Sequence, residues 1–246
     1  MSKPVLSRWH SAIRASSIIA PLALALAACG SEAPAPTTEA PEASEVHVED
    51  TLPMMGPERV ILGFGNSLMA GYNVEEEQGY PEVLERALRG RGINASVIDA
   101  GVSGDTTAAG RQRIAFVLDN ADADIDLAII ELGGNDLLRG ISPDQTRENL
   151  GAIIEEVQSR GIPVLLMGMR APPNLGAEYV GQFDGMYPAL AEQFGTALVP
   201  FFMEPVFDDP DLMQADRIHP TAEGIEDMVA ATLDAVVDAL PEEDTN

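Results

Sequence analysis

Apolar positions along this chain alternate between two patterns. Short continuous apolar runs at residues 59–64 (RVILGF), 95–100, 126–132 (DLAIIEL), 163–167 and 197–200 read as buried strands. Between them lie longer stretches with helical spacing. Residues 80–91 (YPEVLERALRGR) place Val83, Leu84, Ala87 and Leu88 on one face, and Gly92 stops the pattern. Residues 106–118 align Ile114, Val117 and Leu118. Residues 143–160 form a helix that Ser142 caps and Gly161 ends. Residues 183–194 and 221–240 complete the set, the last capped by Thr221. Strands alternating with helices predict an α/β fold, with a mostly parallel sheet covered on both faces. Right-handed crossovers then give a three-layer α/β/α sandwich. In such sheets ligands bind beyond the carboxyl ends of the strands. No internal repeat is present.

The first residues do not fit this alternation. Residues 1–28 have a basic start (Lys3, Arg8, Arg14) and an apolar run at 18–28 without an acid. The run is shorter than the roughly 20 residues a membrane-spanning helix needs, and it fits a cleavable export signal. It ends Leu26-Ala27-Ala28-Cys29, which resembles the bacterial lipobox, and Gly30 rather than Asp follows. The expectation is lipidation of Cys29 and anchoring at the periplasmic side of a bacterial envelope membrane, the outer one. An ordinary signal peptide with an incidental cysteine is the plainer alternative. Residues 29–57, rich in Pro, Ala, Glu and Thr and without apolar periodicity, read as a flexible tether. Residues 58–240 suit one domain, and 241–246 form an acidic tail.

Composition narrows the function. The 246 residues carry a formal charge of −26, and loss of Lys3, Arg8 and Arg14 takes it to about −29. Nucleic-acid binding needs clustered basic residues and is excluded, as is a basic patch for anionic lipid. The single cysteine, Cys29, rules out an internal disulfide, a thiol nucleophile and a cysteine metal site in the domain. No motif for a protein partner appears.

Three histidines are present, His10, His47 and His219, and only His219 lies in the domain. It stands in Asp216-Arg217-Ile218-His219-Pro220. A carboxylate three residues before an imidazole can meet its Nδ1 across one turn and fix its tautomer. Alone, the motif reads equally as a helix-start turn. A serine, Ser67, follows the first strand in Gly65-Asn66-Ser67-Leu68. At the entry to a helix it sits at the carboxyl edge of the sheet, either as an exposed nucleophile or as an N-cap. Two further turns follow strands: Gly101-Val102-Ser103-Gly104-Asp105 and Gly133-Gly134-Asn135-Asp136. Their glycines and Asn135 can donate hydrogen bonds to an oxyanion, although turns favour the same residue types. Together these loops place nucleophile, oxyanion donors and base at one sheet edge.

Ser67, Gly104, Asn135 and His219, in this order, resemble the four blocks of the SGNH (GDSL-type) hydrolases. The resemblance spans about residues 59–240. ELGGNDLLRG (131–140), LLMGMRAPPNLGAEY (165–179), YPALAEQF (187–194), PFFMEPV (200–206) and DLMQADRIHP (211–220) are similar to the branch containing the periplasmic multifunctional thioesterase/lysophospholipase/arylesterase. The resemblance implies a flavodoxin-like sandwich, Ser67 as nucleophile, His219 as base and Asp216 as its orienting partner. It also implies an oxyanion hole of Ser67 N–H, Gly104 N–H and the Asn135 side chain, with no cofactor and no metal. The expected substrates are small acyl esters, thioesters or lysophospholipids. The stretch 171–186 is expected to wall the acyl groove, with Leu175, Tyr179 and Phe183 as substrate contacts beside Val180 and Met186, although the same residues could equally pack the core. The first block departs from Gly-Asp-Ser-Leu: Asn66 keeps an acceptor oxygen and loses the charge.

Three other readings compete. A dinucleotide site would need a third glycine where Leu68 stands. A carbohydrate O-acetylesterase shares the chemistry, and a non-catalytic binding lipoprotein shares the fold.

Overall fold

A computed structural model describes residues 56–242, all within one unit, Glu49–Asn246. The expected signal segment, Cys29, nearly all of the tether and most of the acidic tail lie outside the described residues. Side-chain alternation along the strands builds two cores. In β1 (Arg59–Gly65), Ile61 packs into one core while Leu62 and Phe64 pack into the other. In β3 (Leu127–Glu131), Leu127 and Ile129 oppose Ala128 and Ile130; in β4 (Val164–Met167), Leu165 and Met167 oppose Val164 and Leu166. Both faces of these strands are apolar because both are covered, which is why they appear in the sequence as unbroken apolar runs.

The first core is closed by α1 (Tyr80–Gly90) and α6 (Ala222–Ala239). The second is closed by α2 (Thr107–Asp119), α4 (Pro143–Ser159) and α5 (Ala177–Phe194). With β2 (Ala95–Gly101) and β5 (Ala197–Val199) the sheet has the order β2-β1-β3-β4-β5, and all four pairings are parallel. The three-layer α/β/α sandwich is thus as expected, with every strand parallel. Side-chain caps start three helices: Thr106, Ser142 and Thr221 accept from the N–H groups of Ala109, Gln145 and Gly224.

Two departures have local causes. Helix α5 begins at Ala177, not at residue 183, because Gly181, Gly185 and Pro188 depress its intrinsic helicity and hide its first turns. Packing prevails: Phe183, Met186, Tyr187 and Leu190, at i, i+3, i+4 and i+7, form a buried stripe. Helix α3 (Gly134–Leu138) is too short to show a period in the sequence. Among the described residues no helix is long and apolar enough to cross a membrane.

The chain leaves β1 toward β2 on one side and returns to β3 on the other. The crevice beyond the carboxyl ends of β1 and β3 is therefore a topological switch point, where open α/β sheets bind ligands.

Candidate active site

Ser67 lies two residues beyond the end of β1. It does not open a helix as expected. Residues 67–73 form consecutive turns, in which Ala70 N–H donates to Asn66 O and Tyr72 N–H to Ser67 O, and α1 starts only at Tyr80. Asn66 sits beneath the serine, 2% exposed, and its Oδ1 accepts from Leu68 N–H at 3.0 Å.

His219 reaches the same point from the far end of the chain. Its Nε2 is 2.8 Å from Ser67 Oγ and its Nδ1 is 2.7 Å from Asp216 Oδ2. Asp216 Oδ1 also accepts from the N–H groups of Ile218 (2.9 Å) and His219 (3.1 Å). The hydrogen bond from His219, then those from the backbone, hold the Asp216 carboxyl down to about 2. This compact turn uses a left-handed Arg217, φ +59°. Gln214 fastens it: its N–H donates to His219 O at 2.8 Å, and its side chain donates to Pro220 O (2.8 Å) and Tyr72 O (2.9 Å). The Tyr72 ring lies 4.4 Å from the imidazole, tilted by 35°.

Two more loops complete the rim. Asn135 Nδ2 donates one hydrogen to Asp105 O at 2.9 Å, which leaves its second hydrogen for another acceptor. Arg139 donates to Gly104 O at 2.7 Å. Asp136, wholly buried, accepts from Thr107 N–H (2.8 Å) and Thr107 Oγ1 (2.5 Å), locking α3 onto the start of α2. Gly133 must be glycine: φ is +118°, and a Cβ would overlap the Tyr187 hydroxyl. Ser67, Gly104, Asn135 and His219 all line one cavity of about 670 Å³.

The remaining wall is largely apolar: Leu138, Met169, Phe201, Met203, Phe207 and Met213 contribute to it. Sequence reasoning missed these residues, although the run PFFMEPV was a signal for two of them, Phe201 and Met203. The residues expected to contact substrate, Leu175, Tyr179 and Phe183, are not among those that line this cavity. Phe183 is 0% exposed, its ring centroid 6.1 Å from that of Tyr179 and 5.8 Å from that of Tyr187. Tyr179 donates its hydroxyl to Ile141 O at 3.0 Å. Leu175 is exposed on the 3-10 turn Pro173–Leu175 and is absent from the cavity lining. Most of the stretch 171–186 is helix α5, and its apolar stripe faces the core rather than a groove. Val180 packs at the margin of that core and Met186 within it.

Among the described residues no group of three or more His, Cys, Asp or Glu is arranged to hold a metal ion. Chemically, the arrangement offers a hydroxyl in contact with an imidazole whose far nitrogen is held by an ionised carboxylate. Such a set can deprotonate the hydroxyl as it attacks a carbonyl carbon.

Known proteins match this chain over most of the described residues. Residues 64–226 match the model of the GDSL-like lipase/acylhydrolase family. Esterase TesA of Pseudomonas aeruginosa is 41% identical over 162 residues, covering 66% of this chain and 80% of that protein. Thioesterase 1/protease 1/lysophospholipase L1 of Escherichia coli K12 is 37% identical over 180 residues, 72% of this chain and 84% of that one. The crystal structure of AlinE4, an SGNH-hydrolase family esterase, superimposes with a TM-score of 0.65 at 62% identity, covering 76% of this chain and all of that one.

Proposed function

The chain belongs to the GDSL-like lipase/acylhydrolase family and is a serine hydrolase of ester bonds, and from that premise we propose how its residues act and on what. Ser67 is the nucleophile, His219 the general base and Asp216 the group that orients the base. The observation that carries this reading is the unbroken contact Asp216–His219–Ser67, 2.7 Å and then 2.8 Å. Oγ attacks the acyl carbon while its proton passes to Nε2. The resulting oxyanion is met by the Ser67 and Gly104 N–H groups and by the free Asn135 hydrogen. Collapse expels the alcohol or thiol, which takes the proton from His219, and leaves an acyl-enzyme on Ser67. Water, deprotonated by the same imidazole, then releases the acid.

The apolar cavity supports acyl or aryl esters and thioesters with several carbons, lysophospholipids included, over acetylated sugars. A groove walled by Met169, Phe201 and Phe207 stabilises chain carbons by about 0.8 kcal/mol per buried CH₂. An ester series of increasing acyl length, on p-nitrophenyl and on coenzyme A leaving groups, tests this. Rising kcat/KM beyond acetate supports it, and a preference for acetate alone favours a carbohydrate O-acetylesterase. The lipobox-like Leu26-Ala27-Ala28-Cys29 supports export and anchoring through lipid on Cys29, at the outer membrane since no Asp follows it. Metabolic labelling with a palmitate analogue, lost in Cys29→Ala, is the expected result.

A further inference from the structure

Glu131 is a buried carboxyl that the reaction does not use. It ends β3, where it is the register partner of Gly65, the last residue of β1. Its side chain folds over that glycine: a Cβ on Gly65 would stand 2.8 Å from both Glu131 O and Oε2. Glu131 is 0% exposed, and no cation among the described residues pairs with it. A buried carboxyl without a counter-charge depends on filled acceptors. Both of its oxygens are filled by one residue. Oε2 accepts from Asn66 N–H at 3.2 Å and Oε1 from Asn66 Nδ2 at 3.0 Å.

We propose that Glu131 is a positioning residue for the nucleophile, and that Asn66 and Glu131 form a matched donor–acceptor pair that orients the turn carrying Ser67. The proposal rests on Ser67 being the nucleophile. Both Glu131 oxygens act as acceptors here, so they decide which end of the Asn66 amide faces them. Nδ2 turns toward Glu131, and Oδ1 must then face the turn. There Oδ1 accepts from Leu68 N–H at 3.0 Å and lies 3.4 Å from Ser67 Oγ, whose hydrogen is directed at His219 Nε2. The register of β1 against β3 is thereby transmitted to the hydroxyl that His219 contacts. With an aspartate at position 66, two carboxylates would meet in a closed site and could not both ionise. The neutral amide of Asn66 is thus the partner that suits a buried glutamate.

Other titratable groups surround the pair. Tyr187 of α5 donates to Leu132 O, Arg113 of α2 donates to Gly65 O and is paired with Asp105, and His219 lies across Ser67. None of them bonds to a Glu131 oxygen.

A double-substitution cycle on ester hydrolysis tests the pairing. In E131Q the introduced amide meets two Asn66 donors, so one N–H faces another. The expected kcat falls by about 10- to 100-fold, the scale of an ångström-sized misplacement, with KM within about twofold. In N66D/E131Q the introduced carboxylate accepts both from the introduced amide and from Leu68 N–H, and kcat should return to within about threefold of wild type. An E131Q enzyme with wild-type kcat, or a double variant no better than E131Q, overturns the proposal. If E131Q does not fold, N66D decides: its activity should fall as pH rises and both carboxyls ionise, and a wild-type pH profile overturns the proposal. Wild-type enzyme no more active than S67A would sink the nucleophile reading and the pairing with it. Active wild type with an unmoved E131Q would sink the pairing alone.

Discussion

Arg113 Nη2 donates to the carbonyl of Gly65 at 3.0 Å, which fastens α2 to the strand end that carries the nucleophile turn. The same guanidinium pairs through Nε with Asp105 Oδ2 at 2.6 Å and lies 3.9 Å above the Phe64 ring. One planar cation thus ties the Ser67 and Gly104 loops together while covering a core phenylalanine.

Lysine cannot reproduce this fork. R113K is expected to lose about 1.5–3 kcal/mol of stability, the range for hydrogen bonds to charged groups, and about tenfold in kcat/KM. Urea unfolding alongside ester hydrolysis measures both. An unchanged urea midpoint and unchanged kcat/KM would show that the two loops hold their places without it.

Phe183 and Phe207 separate stability from specificity. Phe183 is fully buried, so F183A should cost about 3–5 kcal/mol while leaving the ratio of kcat/KM for octanoyl and butyryl esters unchanged. Phe207 is 60% exposed and lines the cavity. F207A should change stability by less than about 0.5 kcal/mol and lower that ratio by about tenfold. A reversal of these effects would return the acyl wall to α5.

Activity on the acid side should follow one protonation. Three N–H groups hold the Asp216 carboxyl down to about 2, so it stays ionised far below neutral pH. The acid limb of log kcat/KM against pH should have a slope of about one. D216N should lower kcat by about 10²- to 10⁴-fold through loss of the correct tautomer. A limb with a slope of two would mean that Asp216 takes up a proton in the same range.

Much of this was legible in the sequence, for physical reasons that also explain the gaps. Ile61, Leu62 and Phe64 announce a strand because a parallel sheet buries both faces, so no polar residue interrupts the run. Ser67, Gly104, Asn135 and the Asp216–His219 pair were legible because each follows a strand or precedes a capped helix. The structure brings Ser67, Gly104, Asn135 and His219 to one cavity, with Asp216 behind the imidazole. An aromatic at helical spacing, such as Phe183, looks alike facing a groove or a core, and only the packing of α5 distinguishes them. Met169 and Phe207, on separate loops, share no period that could join them. Glu131 was visible as an acid at the end of an apolar strand, but its target depends on the Gly65–Glu131 register, which no local pattern encodes.

The most direct measurement is hydrolysis of p-nitrophenyl butyrate by the domain from residue 58 onward, beside S67A and H219A. Wild type should turn over, and each variant should fall by about 10³-fold or more, as loss of a catalytic nucleophile or base predicts. A folded S67A that retains wild-type turnover would contradict the account.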